Sequence, residues 1–399
     1  MATRFAQLTP ETIADIQAQL ERGLVRDFAD LCDRMIQREP DILGPMESRL
    51  SVISGSQMLI EPAEPIGDEI EDALAVEGAD LLRTSLARVP SLSQRVHEML
   101  MGIFVGFAVH EKVWAEDEFG ALVITDLQWL HQRRFTYGPD WRLRIVDTGR
   151  EYNAAGIEMD PDSFVIHEPK VIPGYPTGGA LRACMWLFFF KSLAMQFLHA
   201  GAEQFAWPTP VGTLTPASGE GARALLQEAL ESFTNGKAVV LTDGSSMNLL
   251  ESTVKDGGVN ASLIAECNRG FSTALLGMTD LANPSRVGSY AAVVERKGAT
   301  VDARIFKDER SLAATFESQI AEPMMRLNRD YFGGRVPRTP RVSWLVPAKR
   351  QPIPSEVLAA GVVRRDEARA SVGLPPIGGP EGAAFVGTPA LPQAPQVAA

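Results

Sequence analysis

A breaker-rich stretch, Thr279 to Ser289, passes straight into a helix-compatible run that ends at Tyr331-Phe332-Gly333-Gly334. Within the run Val294, Val301, Ile305, Leu312, Phe316, Ile320, Met324, Leu327 and Tyr331 fall mostly three, four or seven apart, the spacing of one apolar stripe along a helix. Gly298 and Pro323 are its internal breakers, and Gly333-Gly334 forms a C-terminal stop. Roughly 40 residues of helix span roughly 60 Å, several times the mean helix length of globular proteins. Such a rod is either the core helix of a large α/β enzyme or a mount for the loop that precedes it.

The rod needs a body to be mounted on, and the composition supplies one. The 399 residues are 45% apolar and 22% charged, ordinary globular values with material for two or three subdomains. The net charge of −12 argues against a high-affinity nucleic-acid binder, which needs surplus Lys and Arg on its contact face. It is compatible with a surface past which DNA slides without being gripped. Cys32, Cys184 and Cys267 are far apart and lack C-x-x-C spacing, so they read as small buried residues. The segment Met1 to Phe5 lacks the layout of a signal peptide. Met99 to Val109 is too short to span a membrane, and Ala183 to Leu198 carries Lys191 in its middle. A cytosolic site of synthesis is expected.

Taken in order, Thr9-Pro10-Glu11 starts a helical run that continues to Arg38 and breaks before Pro40. A helix to about Leu50 follows, then a strand over Gln57 to Glu61. Gly67 to Val89 is helical, and Ser91 restarts a helix that ends near Gly106 and enters the alternating strand His110 to Trp114. Ala121 to Leu130, Arg134 to Tyr137, Trp141 to Val146 and Ser163 to His167 are short strands between turn residues, so the first part is α+β. After the hinge Pro173 to Gly179, a helix runs from Ala180 to about Phe205. A small β-α-β-β unit follows: Val211 to Thr215, Gly219 to Thr234, Ala238 to Leu241 and Met247 to Leu250. Asn260 to Leu276 is helix, Val342 to Val346 a strand, and Ser355 to Val372 holds a short helix or two. The Pro- and Gly-rich end is expected to be disordered.

No catalytic constellation emerges. His97-Glu98 and His110-Glu111 begin like H-E-x-x-H without the second histidine, and Asn235-Gly236-Lys237 lacks the flanks of a phosphate loop. Asp160-Pro161-Asp162-Ser163 lacks the Gly and Glu of a calcium loop. An enzyme of unrecognised type would have to draw on Glu266, His199 or Asp280 at helix ends, and neither a metal nor a cofactor is indicated.

The order of elements, however, resembles the bacteriophage portal proteins of the Mu-like family, over roughly Leu20 to Pro376. The resemblance is carried by Arg38-Glu39-Pro40-Asp41-Ile42 ahead of a helix and an Ile-Glu-Pro strand, and by the helix-to-strand passage Phe104 to Trp114. It is carried further by Phe164-Val165-Ile166-His167 before the Pro/Gly hinge and by Gly178-Gly179 at the next helix start.

The resemblance implies an α+β, portal-type fold. Residues 1–178 would be an N-terminal region and α/β wing, 179–206 and 258–278 two stem helices, and 207–257 the clip between them. Residues 279–289 would be the tunnel loop, 290–334 the long helix, 335–377 a wing strand with a reduced crown, and 378–399 a disordered tail. It implies a ring of identical subunits, twelve in number, at one capsid vertex, through which double-stranded DNA is packaged and ejected without sequence specificity. The implied partners are the terminase large subunit, the major capsid or scaffold protein and a head-completion or neck protein, with no membrane. The implied location is the virion, and the host cytoplasm during assembly. Asn283, Ser285, Arg286, Ser289, Arg296 and Lys297 become candidates for the DNA channel, and Lys237, Asp243, Asn248 and Glu251 for the clip surface facing the motor. A non-ring capsid adaptor is the remaining alternative, separated from the portal by stoichiometry.

Overall fold

The computed structural model describes residues 8–146, 156–171, 178–206, 209–214, 220–234, 245–250, 258–277, 290–346 and 364. Helix α1 (Pro10–Glu21) starts as the sequence indicates: Thr9 Oγ1 accepts from the Thr12 amide at 3.2 Å, and Pro10 opens the first turn. The expected single run to Arg38 is instead two helices, with α2 spanning Arg26–Arg38. Gly23 separates them at φ +83°, and a Cβ there would lie 2.9 Å from the Tyr137 carbonyl oxygen. Glycine alone takes that conformation in that space without strain. Next come α3 (Pro40–Ser54), β1 (Met58–Glu61), α4 (Glu69–Arg88), α5 (Leu92–Leu100) and α6 (Gly102–Val105). The expected single helix from Ser91 is thus divided at Met101. Strands β2 (Ala108–Glu116), β3 (Leu122–Leu130), β4 (Phe135–Tyr137), β5 (Leu143–Ile145), β6 (Ile157–Glu158) and β7 (Phe164–His167) follow. β6 has no periodicity signal, because two residues are too few to carry one.

The second half holds α7 (Met185–Ala206), β8 (Thr209–Leu214), α8 (Glu220–Thr234), β9 (Ser245–Leu250) and α9 (Gly258–Leu276). It continues with α10 (Tyr290–Phe316), a π-helical turn over Glu317–Ala321, α11 (Glu322–Leu327) and β10 (Arg341–Trp344). Among the described residues the strands form four antiparallel sheets, ordered β1-β10, β3-β2-β7, β4-β5-β6 and β8-β9. The fold is mixed helix and antiparallel sheet, as expected. The strand expected over Ala238–Leu241, the helices over Ser355–Val372 apart from Arg364, and the tail 378–399 lie outside the described residues. One apolar cluster joins Ile13 in α1, Phe104 in α6, Val165 in β7, Phe271 in α9 and Phe316 in α10.

The chain is helical from Tyr290 to Leu327, and turns then carry it to Gly333 and Gly334, both at positive φ. Pro323 has no N–H for the Gln319 carbonyl, and its ring would clash with that carbonyl in α geometry. The backbone accommodates it by taking up an extra residue in the π turn just before. An extra residue rotates everything downstream by about 100°. The expected stripe therefore holds through Ile305, Leu312, Phe316, Ile320 and Met324, all buried, and then fails: Leu327 and Tyr331 are exposed, while Asn328 and Phe332 take their places inside.

Side chains of this helix complete the edges of two sheets. On the outer edge of β7, Gln319 accepts from the Ile166 amide at 2.7 Å and donates to the Ile166 carbonyl at 2.8 Å. On the opposite outer edge, β3, Asn328 does the same for Leu122 at 2.7 and 2.8 Å. Lys112 on the central strand β2 donates to the freed Gln319 carbonyl at 2.8 Å. The open edge of β10 is met by carboxylates: Glu309 accepts from the Trp344 amide at 3.0 Å and Glu317 from the Val342 amide at 2.9 Å.

A buried ion pair closes the other side of the rod. Arg49 on α3 donates to both oxygens of Asp308, at 2.6 and 2.9 Å, and to the Leu275 carbonyl of α9 at 2.7 Å. Arg49→Met leaves Asp308 buried without its partner and is expected to cost about 3–5 kcal/mol in chemical denaturation. Replacing both members, Arg49→Met with Asp308→Leu, is expected to recover most of that loss. A double variant no more stable than the single one contradicts this account.

Candidate functional site

Helices α7 and α9 leave the core side by side. Gly179, ahead of α7, lies so close to the α6 backbone that a Cβ would meet the Phe104 oxygen at 2.2 Å, which explains the need for glycine at this helix start. Leu187 of α7 packs over Gly270 of α9, and Lys191 lies 5.7 Å above the Phe271 ring. Ala180–Ala200 is long and apolar enough to cross a membrane by length and composition. Here its inner half is core: Leu181, Cys184 and Met185 are fully buried. The Lys191 ammonium, which breaks its apolar run, donates to Glu39 at 2.6 Å and Asp41 at 2.8 Å at the start of α3.

The outer half differs. On α7 Phe190, Met195 and Phe197 are exposed, and on α9 Val259 and Leu263 are exposed. The other exposed side chains in this part of α9 include the small Ala261, Ser262 and Ala265. Beyond these ends lie β8, β9 and α8, whose principal packing partners are one another. Leu226 of α8 fits against Gly212 of β8, where a Cβ would come within 2.7 Å. At the inner end two arginines satisfy the last carbonyls of α9: Arg49 bonds Leu275 and Arg304 of α10 bonds Ala274 at 3.3 Å.

Asn283, Ser285, Arg286, Ser289, Lys237, Asp243 and Glu251 lie outside the described residues. Arg296 and Lys297 sit in the first half of α10 and Asn248 on β9, positions described at the backbone. Of the residues proposed for an enzyme, Glu266 pairs with Arg269 one turn away at 2.6 Å, His199 is on the exposed outer part of α7, and Asp280 is outside the described residues. Among the described residues no group of three or more metal-ligating side chains gathers.

One group of perturbed residues lies on a buried face of the β3-β2-β7 sheet. His110 and Lys112 share a face of β2 with Ala108, whose partner across the ladder is His167. His167 bonds Thr315 of α10 at 2.8 Å, and burial pushes its pKa down to about 3. Burial likewise lowers the His110 pKa against the opposing pull of Glu98. Glu98 is driven up by burial, yet hydrogen bonds from His110, Gln94 and Arg95 hold it below the usual carboxylate value. Burial takes Lys112 down to about 8, against the carboxylates of Asp162 and Asp160. Sequence reasoning placed these residues on strands and missed the buried face, since the groups that cover it come from distant helices.

The family described as the portal protein of Mu bacteriophage matches residues 29–374. The Mu-like prophage FluMu protein gp29 of Haemophilus influenzae is 23% identical over 340 residues, which cover 83% of this chain and 63% of that protein. The portal protein of Escherichia phage Mu is 23% identical over 331 residues, covering 81% of this chain and 62% of that protein. The chain thus spans under two thirds of the length of these curated relatives. Among solved structures, a chain from the neck of an empty gene transfer agent (GTA) particle computed with C6 symmetry has a TM-score of 0.52 at 17% identity, covering 91% of this chain and 94% of that one. A chain from the neck of a native GTA particle computed with C12 symmetry has a TM-score of 0.52 at 14% identity, covering 92% and 95%. At these identities the likeness is one of fold.

The titrating face yields a pH dependence. With a pKa near 3 in the fold against an ordinary 6.5, His167 binds fewer protons folded than unfolded. Its contribution to stability is therefore complete above pH 6.5 and is lost as the pH falls toward 3. His167→Asn retains a donor near Nδ1 but does not titrate. It is expected to flatten the fall of unfolding free energy below pH 6.5 by up to one proton, about 1.4 kcal/mol per pH unit. An unchanged slope contradicts the assignment.

Proposed function

Because the chain belongs to the family of the Mu bacteriophage portal protein, we propose that it is a portal subunit. Copies form a closed ring of twelve at one capsid vertex, through which double-stranded DNA is packaged and later ejected. The observation that carries the ring is the outer half of the α7–α9 pair. Phe190, Met195 and Phe197 face solvent in a single chain, while the small side chains of Ala261, Ser262 and Ala265 face solvent on α9. The α7 surface, with two phenylalanines and a methionine, and the α9 surface, where Val259 and Leu263 sit among these small residues, are different surfaces. Joining one to the other in successive copies is a heterologous contact, which closes into a ring when its rotation permits. The fold likeness to chains of particles computed with C6 and C12 symmetry supports the same reading.

In this reading residues 1–178 and 335–377 serve as wing and reduced crown, α7 and α9 as stem, and 207–257 as the clip that meets the terminase large subunit and then the neck protein. The wing meets major capsid or scaffold protein. Asn283, Ser285, Arg286 and Ser289 in the loop 279–289, with Arg296 and Lys297 at the start of α10, line the channel. Lys237, Asp243, Asn248 and Glu251 present the clip surface. The net charge of −12 suits a channel in which strong phosphate binding would stall the DNA. The protein resides in the virion at the portal vertex, after assembly in the host cytoplasm.

Electron microscopy of the purified chain is expected to show rings with a central pore wider than duplex DNA. A chain that stays monomeric even with its capsid protein overturns the portal reading, and a small fixed oligomer favours an adaptor. Phe197→Asp is expected to abolish the rings while leaving the thermal midpoint of the monomer within a few degrees, because the side chain is exposed. Rings that persist place the interface elsewhere. Deleting Asn283 to Val287 is expected to leave rings intact and to reduce packaged DNA; a deletion that prevents folding would assign this segment to a core.

A further inference from the structure

The buried face that joins the β3-β2-β7 sheet to the long helix contains two imidazole nitrogens without a hydrogen-bond partner, Nδ1 of His110 and Nε2 of His167. Both residues are at most 1% exposed. A buried polar atom without a partner costs about as much as a lost hydrogen bond, so native proteins rarely leave one.

Their neighbours assign the protons. Thr315 donates its hydroxyl proton to the Ser311 carbonyl at 3.0 Å, one turn back on α10. Its oxygen is then left to accept from His167 Nδ1 at 2.8 Å, so the neutral His167 carries its proton on Nδ1. Nε2 is consequently a bare lone pair. On His110, Nε2 faces a Glu98 oxygen at 3.4 Å, and a carboxylate held below its usual pKa only accepts. His110 therefore carries its proton on Nε2, and Nδ1 is a second bare lone pair.

The two residues lie on one face of the sheet. Ala108 is the ladder partner of His167, so His110, two residues along β2, is the diagonal neighbour of His167 on the same face. The charged groups around them are Glu98 and Arg95 on α5 and Asp126 on β3, all on the His110 side. Glu98 is engaged by Arg95, Gln94 and His110, and Asp126 by Arg95. Two acceptors call for a neutral molecule that donates twice. A cation would find two ligands and the Arg95 guanidinium beside it.

We propose that His110 and His167 together hold one buried water molecule, which donates one hydrogen bond to each ring and completes the joint between the sheet and the long helix. Two polar partners suffice for an internal water. Its position makes it part of the mount of α10 and not of any channel surface.

The test uses the full chain in whatever assembly it adopts. A density map at a resolution that shows ordered solvent is expected to contain one peak within hydrogen-bond distance of both nitrogens. Nitrogens that meet a protein group, or two separate peaks, overturn the proposal. One equivalent of metal per chain, found by elemental mass spectrometry, replaces the water with a two-histidine cation site and also overturns it. A double-mutant cycle provides the second arm. His110→Gln keeps a donor near Nε2 for Glu98, and His167→Asn keeps one near Nδ1 for Thr315, so each removes the lone pair alone. If one water serves both, the second substitution is expected to change the unfolding equilibrium constant at least threefold less than it does in the wild-type background. Effects that multiply independently overturn the shared site.

Discussion

Every backbone amide and carbonyl that a fold buries must find a partner, and the long helix from Tyr290 to Leu327 meets that requirement for two sheets at once. A three-stranded sheet has two open edges, here β3 and β7. The carboxamides of Asn328 and Gln319 stand in for the missing strands, each accepting from one amide and donating to the carbonyl of the same residue. The two lie nine residues apart, about 13 Å along the helix, enough to reach across a sheet whose edge strands are about 10 Å apart. The proline that distorts the helix also frees the Gln319 carbonyl for Lys112 of the middle strand. One outward-facing residue on each edge, Leu122 and Ile166, is thereby paired within the chain and is not open to another strand.

The same helix is tied to α9 by Arg49, which holds Asp308 and the end of α9 together. Between that anchored end and Tyr290 runs the stretch 278–289. Arg49 and Arg304 fix the last turn of α9, which precedes that stretch, against the long helix. The outer part of the α7–α9 pair is built on the opposite principle. There Phe190, Met195 and Phe197 of α7 are exposed instead of packed into the chain's own core.

Much of this was legible in the residues. The helix start at Thr9-Pro10, the strand before Pro62, the helix-to-strand passage at Gly106 and the stop at Gly333-Gly334 are each set by a local stereochemical preference that acts within a few residues. The apolar stripe of the long helix was legible as far as Met324 for the same reason. Beyond it the reading failed at Leu327 and Tyr331, because Pro323 inserts a residue into the turn and a periodicity count presumes an unbroken α-helix. The break at Gly23 was missed because the demand for glycine comes from Tyr137, more than a hundred positions away.

What the sequence determined by itself is the succession of helices and strands, the apolar faces they present, the absence of a familiar catalytic motif and a family resemblance in their order. Which polar groups meet was decided by the tertiary structure. Arg49 and Asp308 are 259 positions apart, and Lys112 reaches a carbonyl 207 positions away. Lys191, which looks like an interruption in an apolar helix, is the partner of Glu39 and Asp41, and two unremarkable histidines become neutral neighbours with their lone pairs turned inward. Local propensity cannot encode such pairings. They depend on the distance between chain segments brought together by burial, and on the loss of water that makes an unpaired charge there too costly to keep.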